Sequence, residues 1–307
     1  MVQAPPLNRP IILCGPTASG KTAAALEMAR RIDAEIISAD SGQVYRGLDI
    51  GTAKPTREEQ NQIRFHLIDV VNPDQKFSAA EFRTRALAAM ADIQRRGRRI
   101  LIVGGTGLYL RALEEGLFEG PSANVKLREE LERRIVAEGV EALHRELQHI
   151  DPAAAEAISP KNRQRLMRAL EVYRLTGRPI SEFWKEHQRQ KNKDTAISPF
   201  IKVGLDAPKE VLNPRIEARI EEMVEEGLLA EVRGLMERWG SEAPALKLIG
   251  YKEIAAYLQK KASLEAAIAL VIQNTRQYAK RQRTWFKKDR EIQWFNDANE
   301  MTQCLTK

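Results

Sequence analysis

The sequence predicts an α/β protein with a parallel-sheet core, helices on both faces of the sheet, and an inserted helical domain. Three observations carry this reading. Short, continuous apolar runs (PIILCG, AEIISADS, RRILIVGGTG) alternate with helical patterns through the first third of the chain, as expected of strands covered on both faces. After GPSAN (Gly120–Asn124) the strand pattern stops, and from about Val125 to Glu186 almost everything reads as helix, rich in Arg, Glu and Ala. A core strand then returns in FIKVGLD (Phe200–Asp206). The expected division is a core of residues 1–121 and 200–307 around a helical insertion of residues 122–199.

Taken in order, PIILCG is a buried strand, and KTAAALEMARRI is a helix opened by the glycine-containing loop before it. AEIISADS is a second strand that ends in polar residues. SAAEFRTRALAAMADIQRRG is a long amphipathic helix; Ser78 fits its N-cap, and Glu81 three residues on suggests a capping box. RRILIVGGTG is a third strand running into glycines. Beyond the insertion, HQRQKNKDTAISP reads as an exposed connection. NPRIEARIEEMVEEGLLAEVRGLM reads as one amphipathic helix, with Ile216, Ile220, Met223 and Leu228 at helical spacing. EIQWF (Glu291–Phe295) is a last edge strand.

The bulk properties narrow the class. At 307 residues, 43% hydrophobic and 30% charged, the chain has the composition of an ordinary globular protein with ample core. Its longest clean apolar run, AAIALVI, falls far short of the roughly 20 residues a membrane helix needs. MVQAPPLNRP has no apolar segment of signal-peptide length, so no export signal, no membrane and a cytoplasmic location are expected. Two cysteines, Cys14 and Cys304, stand at opposite ends of the sequence, which argues against a disulfide framework or a zinc site.

GPTASGKT, from Gly15 to Thr22, matches the phosphate-loop pattern G-x-x-x-x-G-K-[ST] in the right context, with a strand before it and a helix after. Gly15, Pro16, Thr17, Ala18, Ser19 and Gly20 form the phosphate-binding loop, whose glycines let backbone N–H groups approach phosphate oxygens. Lys21 neutralises charge and Thr22 is placed to ligate magnesium. Asp40 in SADSGQVY lies just past the second strand, where ligands of open α/β sheets bind; an Asx-turn or helix cap explains an Asp there equally well. In VGGTGLYL the glycines permit close backbone approach, and the Thr106 hydroxyl can donate to a phosphate oxygen. The aspartate that usually follows such a strand in an NTPase is replaced by Gly104 and Gly105. Asp69 in FHLIDVV is the other candidate, or a surface or capping residue. The lone His66 reads as a structural hydrogen-bonding residue.

The positive charge is concentrated. Thr275–Arg290 holds seven basic residues against the single acid Asp289, nearly the whole net charge of +7, and KNRQRLMR (Lys161–Arg168) holds four with no acid. Tyr278, Trp285 and Phe286 are interleaved with the larger cluster, which is the composition of a nucleic-acid surface. The alternatives are a solvated helix face and, for Trp285 and Phe286, a buried stripe.

GPTASGKT, ADSGQVYRGLDIGTAKP, HLIDVVNP, GGTGLYLRAL, QRLMRALEVY, LIGYKE and NTRQYAKRQRTWF together, in this order from about residue 10 to 290, closely resemble the bacterial tRNA dimethylallyltransferase family, also called tRNA isopentenyltransferases or IPP transferases. The resemblance implies a P-loop, nucleoside-kinase-like core with a helical insertion. It implies transfer of the dimethylallyl group of dimethylallyl diphosphate to N6 of the adenine next to the tRNA anticodon, with magnesium. On that likeness the loop holds an isoprenoid diphosphate, and ATP is at most a weak competitor. Asp40 matches the family's base and Thr106 its hydrogen-bond donor, while Lys21 stabilises the leaving group and Arg219 is a further diphosphate partner.

The same matching places contacts to the tRNA anticodon stem-loop on Asp40, Ser41, Gly42 and Gln43, and on Thr106. It adds Gln164, Arg165, Leu166, Met167 and Arg168, then Lys247, Leu248, Ile249, Gly250, Tyr251 and Lys252. The last run is Lys280, Arg281, Gln282, Arg283, Thr284, Trp285, Phe286 and Lys287, with Arg128 as a further position. The adenine would have to leave its base stack to reach the crevice. A monomer is expected. The rivals are a P-loop small-molecule kinase, an isopentenyltransferase acting on free adenine nucleotides, and a non-catalytic RNA-binding protein. The first two do not need the basic clusters, and the third would form no product.

Overall fold

A computed structural model describes residues 9–118, 120–193 and 200–306. The reading of the first eight residues lies outside them, as do residues 194–199 of the connection expected over 187–199; residues 187–193 of that connection instead continue the helix Ile180–Lys193. The chain forms two compact units, one of Met1–Glu114 with Ser198–Lys307 and one of Glu115–Ile197.

The first unit opens with β1 (Ile11–Cys14), α1 (Lys21–Ile32), β2 (Ala34–Ser38), α2 (Arg57–Gln62) and β3 (Phe65–His66). It continues through α3 (Ala79–Arg95), β4 (Arg99–Gly104) and α4 (Gly107–Glu115). The second unit is α5 (Val125–Glu138), α6 (Val140–Ile150), α7 (Pro152–Ala157), α8 (Arg163–Thr176) and α9 (Ile180–Lys193). The first unit resumes with β5 (Ile201–Leu205), α10 (Lys209–Glu225), α11 (Leu228–Trp239) and a 3₁₀ turn at Pro244–Lys247. It closes with α12 (Tyr251–Leu258), α13 (Leu264–Phe286), β6 (Gln293–Phe295) and α14 (Ala298–Thr306).

The six strands form one sheet in the order β3-β2-β4-β1-β5-β6, and every neighbouring pair is parallel. Alternation along β1 splits the core in two. Ile11 and Leu13 pack with α1 residues Ala24 and Met28 and α14 residues Met301 and Leu305, whereas Ile12 and Cys14 face Phe82, Ala86 and Ile93 of α3. In register, Cys14 lies opposite Gly104 of β4 and Gly204 of β5. The carboxyl ends of the central strands are therefore flush, and the loops that leave them are neighbours.

Some elements differ from the sequence reading. The long helix expected over NPRIEAR…RGLM is two helices, because Gly227 takes a left-handed conformation (φ 106°) between α10 and α11. At α3, Ser78 accepts from the Glu81 N–H at 3.1 Å, but the Glu81 carboxylate is engaged by Arg85 at 2.9 Å. The complete capping box belongs to α2, where Thr56 and Glu59 exchange both bonds. The two-residue β3 edge is held by charge. His66 Nε2 lies 2.6 Å from Glu35 Oε2, and Arg96 donates to both Glu35 oxygens at 3.0 and 2.7 Å. Burial alone would raise the Glu35 carboxyl; the Arg96 and His66 hydrogen bonds outweigh it and hold it below its ordinary range. Lys202 of β5 ties Glu114 (2.6 Å), Asp289 (2.8 Å) and Glu291 (3.0 Å) together.

The inserted unit has its own apolar core, built on Leu131, Leu143, Leu147, Leu166 and Leu170. Glu171 is fully buried within it. It accepts two bonds from Arg128 at 2.8 and 2.9 Å, one from Arg168 at 2.7 Å, and one from the Asn124 N–H at 2.8 Å. Arg128 and Arg168, expected as RNA contacts, thus neutralise a buried carboxylate. Among the described residues, no helix is long and apolar enough to cross a membrane.

Candidate active site

The loop between β1 and α1 is built against the neighbouring strand. A side chain at Gly15 (φ 146°) would put its Cβ 2.1 Å from the Leu205 carbonyl oxygen of β5, so only glycine fits. Ala18 also sits in the left-handed region, at φ 62°, a conformation uncommon for a residue with a Cβ. Lys21 curls back over the loop, with Nζ 2.5 Å from the Pro16 carbonyl. The Ser19 hydroxyl is buried in the loop with no hydrogen-bond partner among the described residues. A buried hydroxyl costs free energy unless satisfied, and an anion seated in the loop would accept its proton.

The turn after β4 comes just as close to β2. A Cβ at Gly104 would lie 2.1 Å from the Ala39 carbonyl oxygen. That carbonyl accepts from the Thr106 N–H at 3.2 Å, and the Thr106 hydroxyl accepts from the Ser41 N–H at 3.0 Å. Both readings of Asp40 hold at once. Its Oδ1 accepts from the Gly42 N–H at 2.8 Å and the Gln43 N–H at 3.4 Å, which is an Asx-turn. The same carboxylate lines a cavity of about 310 Å³ together with Thr17 to Ala23, Ser38, Gln43, Gly104, Gly105, Arg219, Tyr278 and Gln282. Ile36, Ala53, Pro55, Phe65 and Val103 supply its apolar wall. Gly15 and Pro16 shape the loop from outside this lining. Thr106 also stands outside it and connects through Ser41 to the Asp40 turn.

Charge in the cavity is unequally matched, with Lys21 and Arg219 against Asp40. Withdrawal from water pushes the Lys21 ammonium down to about 8, with Asp40 opposing the shift. Burial lowers Arg219 in the same way, again opposed by Asp40. The Tyr278 phenol is pushed up to about 12 by burial and by Asp40, partly offset by Thr106 and Gln282, so it stays protonated near neutral pH. The site therefore combines a cationic, N–H-rich end for an anion with a carboxylate that can take a proton.

The family-matched runs separate by burial. Gln43 links β2 to the following loop: it accepts from the Ser38 hydroxyl at 2.7 Å and donates to the Ala53 carbonyl at 3.3 Å. Leu166, Tyr251 and Phe286 are buried, so their side chains support a surface and do not form it; Gly250 and Gln282 are buried too. The Tyr251 hydroxyl donates to Glu231 at 2.6 Å, and Glu231 also accepts from the N–H groups of Asp49, Ile50 and Gly51 at 3.0, 2.8 and 3.2 Å. Arg283 is paired with Asp206 at 2.9 Å. Met167, Leu248 and Ile249 are half-buried. Gln164, Arg165, Lys247, Lys252, Lys280, Arg281, Thr284 and Lys287 are exposed. The aromatic interleaving is mostly the buried stripe. Phe286 is in the core, Trp285 lies so close to Gly107 that a Cβ there would come within 2.3 Å of the indole, and Tyr278 faces the cavity.

Sequence reasoning missed Tyr278 as a cavity residue and Glu231 as a loop anchor. For Glu231 no local signal exists, since it reads as one more acid on a helix. For Tyr278, helical spacing to Gln282 within the matched run would have placed both on one face.

The family model for IPP transferase matches residues 43–289. A curated tRNA dimethylallyltransferase from Geobacter metallireducens is 50% identical over 302 residues, 97% of this chain and 96% of that protein. The crystal structure of the full-length tRNA isopentenylpyrophosphate transferase from Bacillus halodurans has a TM-score of 0.70 at 39% identity, covering 97% of this chain and 94% of that one. A eukaryotic dimethylallyltransferase described as acting on tRNA has a TM-score of 0.79 at 28% identity, covering 96% and 75%.

The lowered Lys21 ammonium predicts a pH dependence. Below about 8 the group is charged and holds anions; above it the neutral amine does not. Affinity for inorganic diphosphate, measured calorimetrically, should fall as pH rises through this value. Lys21→Arg, whose guanidinium stays charged, should remove that fall. An unchanged pH profile in Lys21→Arg would contradict the assignment.

Proposed function

The chain belongs to the IPP transferase family, and from that premise we propose that it is a prenyltransferase acting on tRNA as a cytoplasmic monomer. It moves the dimethylallyl group of dimethylallyl diphosphate to N6 of the adenine adjacent to the anticodon and releases diphosphate. The observation that carries this reading is the convergence of the phosphate loop, Asp40 and the basic helix α13 on one cavity.

The adenine amine is a weak nucleophile because its lone pair is delocalised into the ring. As the N6–carbon bond forms, the allylic carbon–oxygen bond breaks, and its electron pair leaves with the diphosphate. Asp40 takes the N6 proton. The Asx-turn occupies Oδ1, and among the described residues Oδ2 has no hydrogen-bond partner, which leaves an oxygen for this role. Lys21, Arg219, the loop N–H groups and the Ser19 hydroxyl face the charge that develops on the leaving group. Ile36, Phe65 and Val103 suit the isoprenoid chain.

Magnesium would be held by the Thr22 hydroxyl, which lines the cavity beside the phosphate loop, together with oxygens of the phosphates. When bound it would neutralise diphosphate charge. The kinase alternative lacks support at β4, where two glycines stand in place of the usual aspartate.

The direct test is to incubate the protein with dimethylallyl diphosphate, magnesium and unmodified tRNA, then digest and weigh the nucleosides. One adenosine heavier by a dimethylallyl group is expected; unmodified adenosine throughout would sink the reading. In the same assay under single turnover, Asp40→Asn should slow transfer by about 10²-fold or more while tRNA affinity changes only a few-fold.

The tRNA surface has its own test. Replacing the exposed Lys280, Arg281, Lys287 and Lys288 with Ala should weaken tRNA binding and flatten its salt dependence, by up to about 0.9 in log–log slope for each phosphate deprived of its cation. Arg283 is left in place because its pairing with Asp206 is structural. Retention of both affinity and slope would make this a merely solvated face.

A further inference from the structure

Gln282 joins two loops whose separation the transfer depends on. It reaches inward from α13 and is only 5% exposed. Its Oε1 accepts from the Thr17 N–H of the phosphate loop at 2.8 Å, and its Nε2 donates to the Gly105 carbonyl of the β4 turn at 2.9 Å. Both ends of the carboxamide are therefore engaged by backbone, at the inner wall of the cavity beside the Tyr278 phenol. The fit is close: a Cβ at Gly105 would stand 2.1 Å from Nε2. Only a carboxamide of this length supplies one acceptor and one donor in opposite directions. Glutamate lacks the donor unless it is protonated, and asparagine is one methylene shorter.

The two loops carry opposite halves of the reaction. The Thr17 side holds the diphosphate. On the other side, Gly105 leads directly to Thr106, whose hydroxyl holds the Ser41 N–H and with it the turn that aims Asp40. We propose that Gln282 is a positioning residue for prenyl transfer: by bridging Thr17 and Gly105 it sets the distance between the leaving group and the base. It sits on the same helix as the exposed Lys280 and Arg281, so the element that meets tRNA is also the one that holds the two loops together. The inference rests on the prenyltransferase reading above.

The test is a double-mutant cycle in the full-length protein, with single-turnover transfer and tRNA binding measured separately. Gln282→Ala should slow transfer by about 10- to 100-fold with tRNA affinity within a few-fold of wild type, as expected when reacting groups are misplaced rather than removed. Gly105→Ala should give the same signature, because its new methyl group meets the movable end of Gln282. Combined, the two should be no slower than Gln282→Ala alone, since the methyl group then has nothing to displace.

Gln282→Glu supplies a readout that general loss of structure would not move. The variant should be slow at pH 8 and recover relative to wild type as pH falls, because a protonated carboxyl regains the donor to Gly105. Burial beside a carbonyl raises that pKa above the ordinary glutamate value. Fully additive losses in the cycle, no acid recovery, or a loss of tRNA affinity that accounts for the rate defect would overturn the proposal. Failure of the wild-type protein to prenylate tRNA would overturn the enzymatic reading with it, whereas normal transfer by Gln282→Ala would overturn this inference alone.

Discussion

The flush ending of β1 and β4 is the constraint from which the site follows. Because Cys14 and Gly104 are register partners in adjacent parallel strands, the loops after them must leave side by side over the same edge of the sheet. Little space remains there for side chains. Gly15 faces the Leu205 carbonyl, Gly104 faces the Ala39 carbonyl, and the Gln282 side chain that bridges the two loops comes from distant α13. Backbone N–H groups and helix ends are thereby concentrated where an anionic ligand can use them. β2 ends beside β4, with Ser38 opposite Val103, and this brings Asp40 to the same edge.

Charge is allotted with comparable economy. Several arginines in and beside the basic clusters are already paired with acids of the same chain. Arg128 and Arg168 neutralise Glu171, Arg283 holds Asp206, and Arg276 is paired with Glu217. The basic residues that remain exposed on α13 and just beyond it are Lys280, Arg281, Lys287, Lys288 and Arg290. In the cavity, burial pushes Lys21 down to about 8 and lowers Arg219, and an anionic ligand seated beside them would oppose both shifts. Two cations and one carboxylate suit a ligand that enters with negative charge and leaves with more of it.

The sequence was most legible where local pattern decides structure. β1, α1, β2, β4 and the helical insertion all follow from apolar runs, helical periodicity and loop chemistry, and the phosphate loop follows from its context. Elements set by distant contacts were not legible. The two-residue β3 depends on a Glu35–Arg96 pairing across 61 residues, and the break between α10 and α11 turns on the left-handed conformation of Gly227. Motif matching named residues that line the cavity, Lys21, Asp40, Arg219 and Gln282 among them, but gave no sign of which side chains are buried. Tyr251, Gln282 and Phe286 fall in runs matched to tRNA contacts, yet their side chains are buried, because a motif preserves a helix with both of its faces. Glu231 shows the limit most plainly: its role exists only once residues 49–51 fold onto it.

The central claim is that the phosphate loop serves a diphosphate leaving group and not the terminal phosphate of a nucleotide. It is tested most directly by counting diphosphate released against prenylated adenosine formed, with purified components, in the presence and absence of ATP. One diphosphate per prenylated adenosine, with no ATP requirement and no ADP, is the result expected here. A strict need for ATP, or ADP appearing in proportion to product, would contradict it and return the loop to phosphoryl transfer.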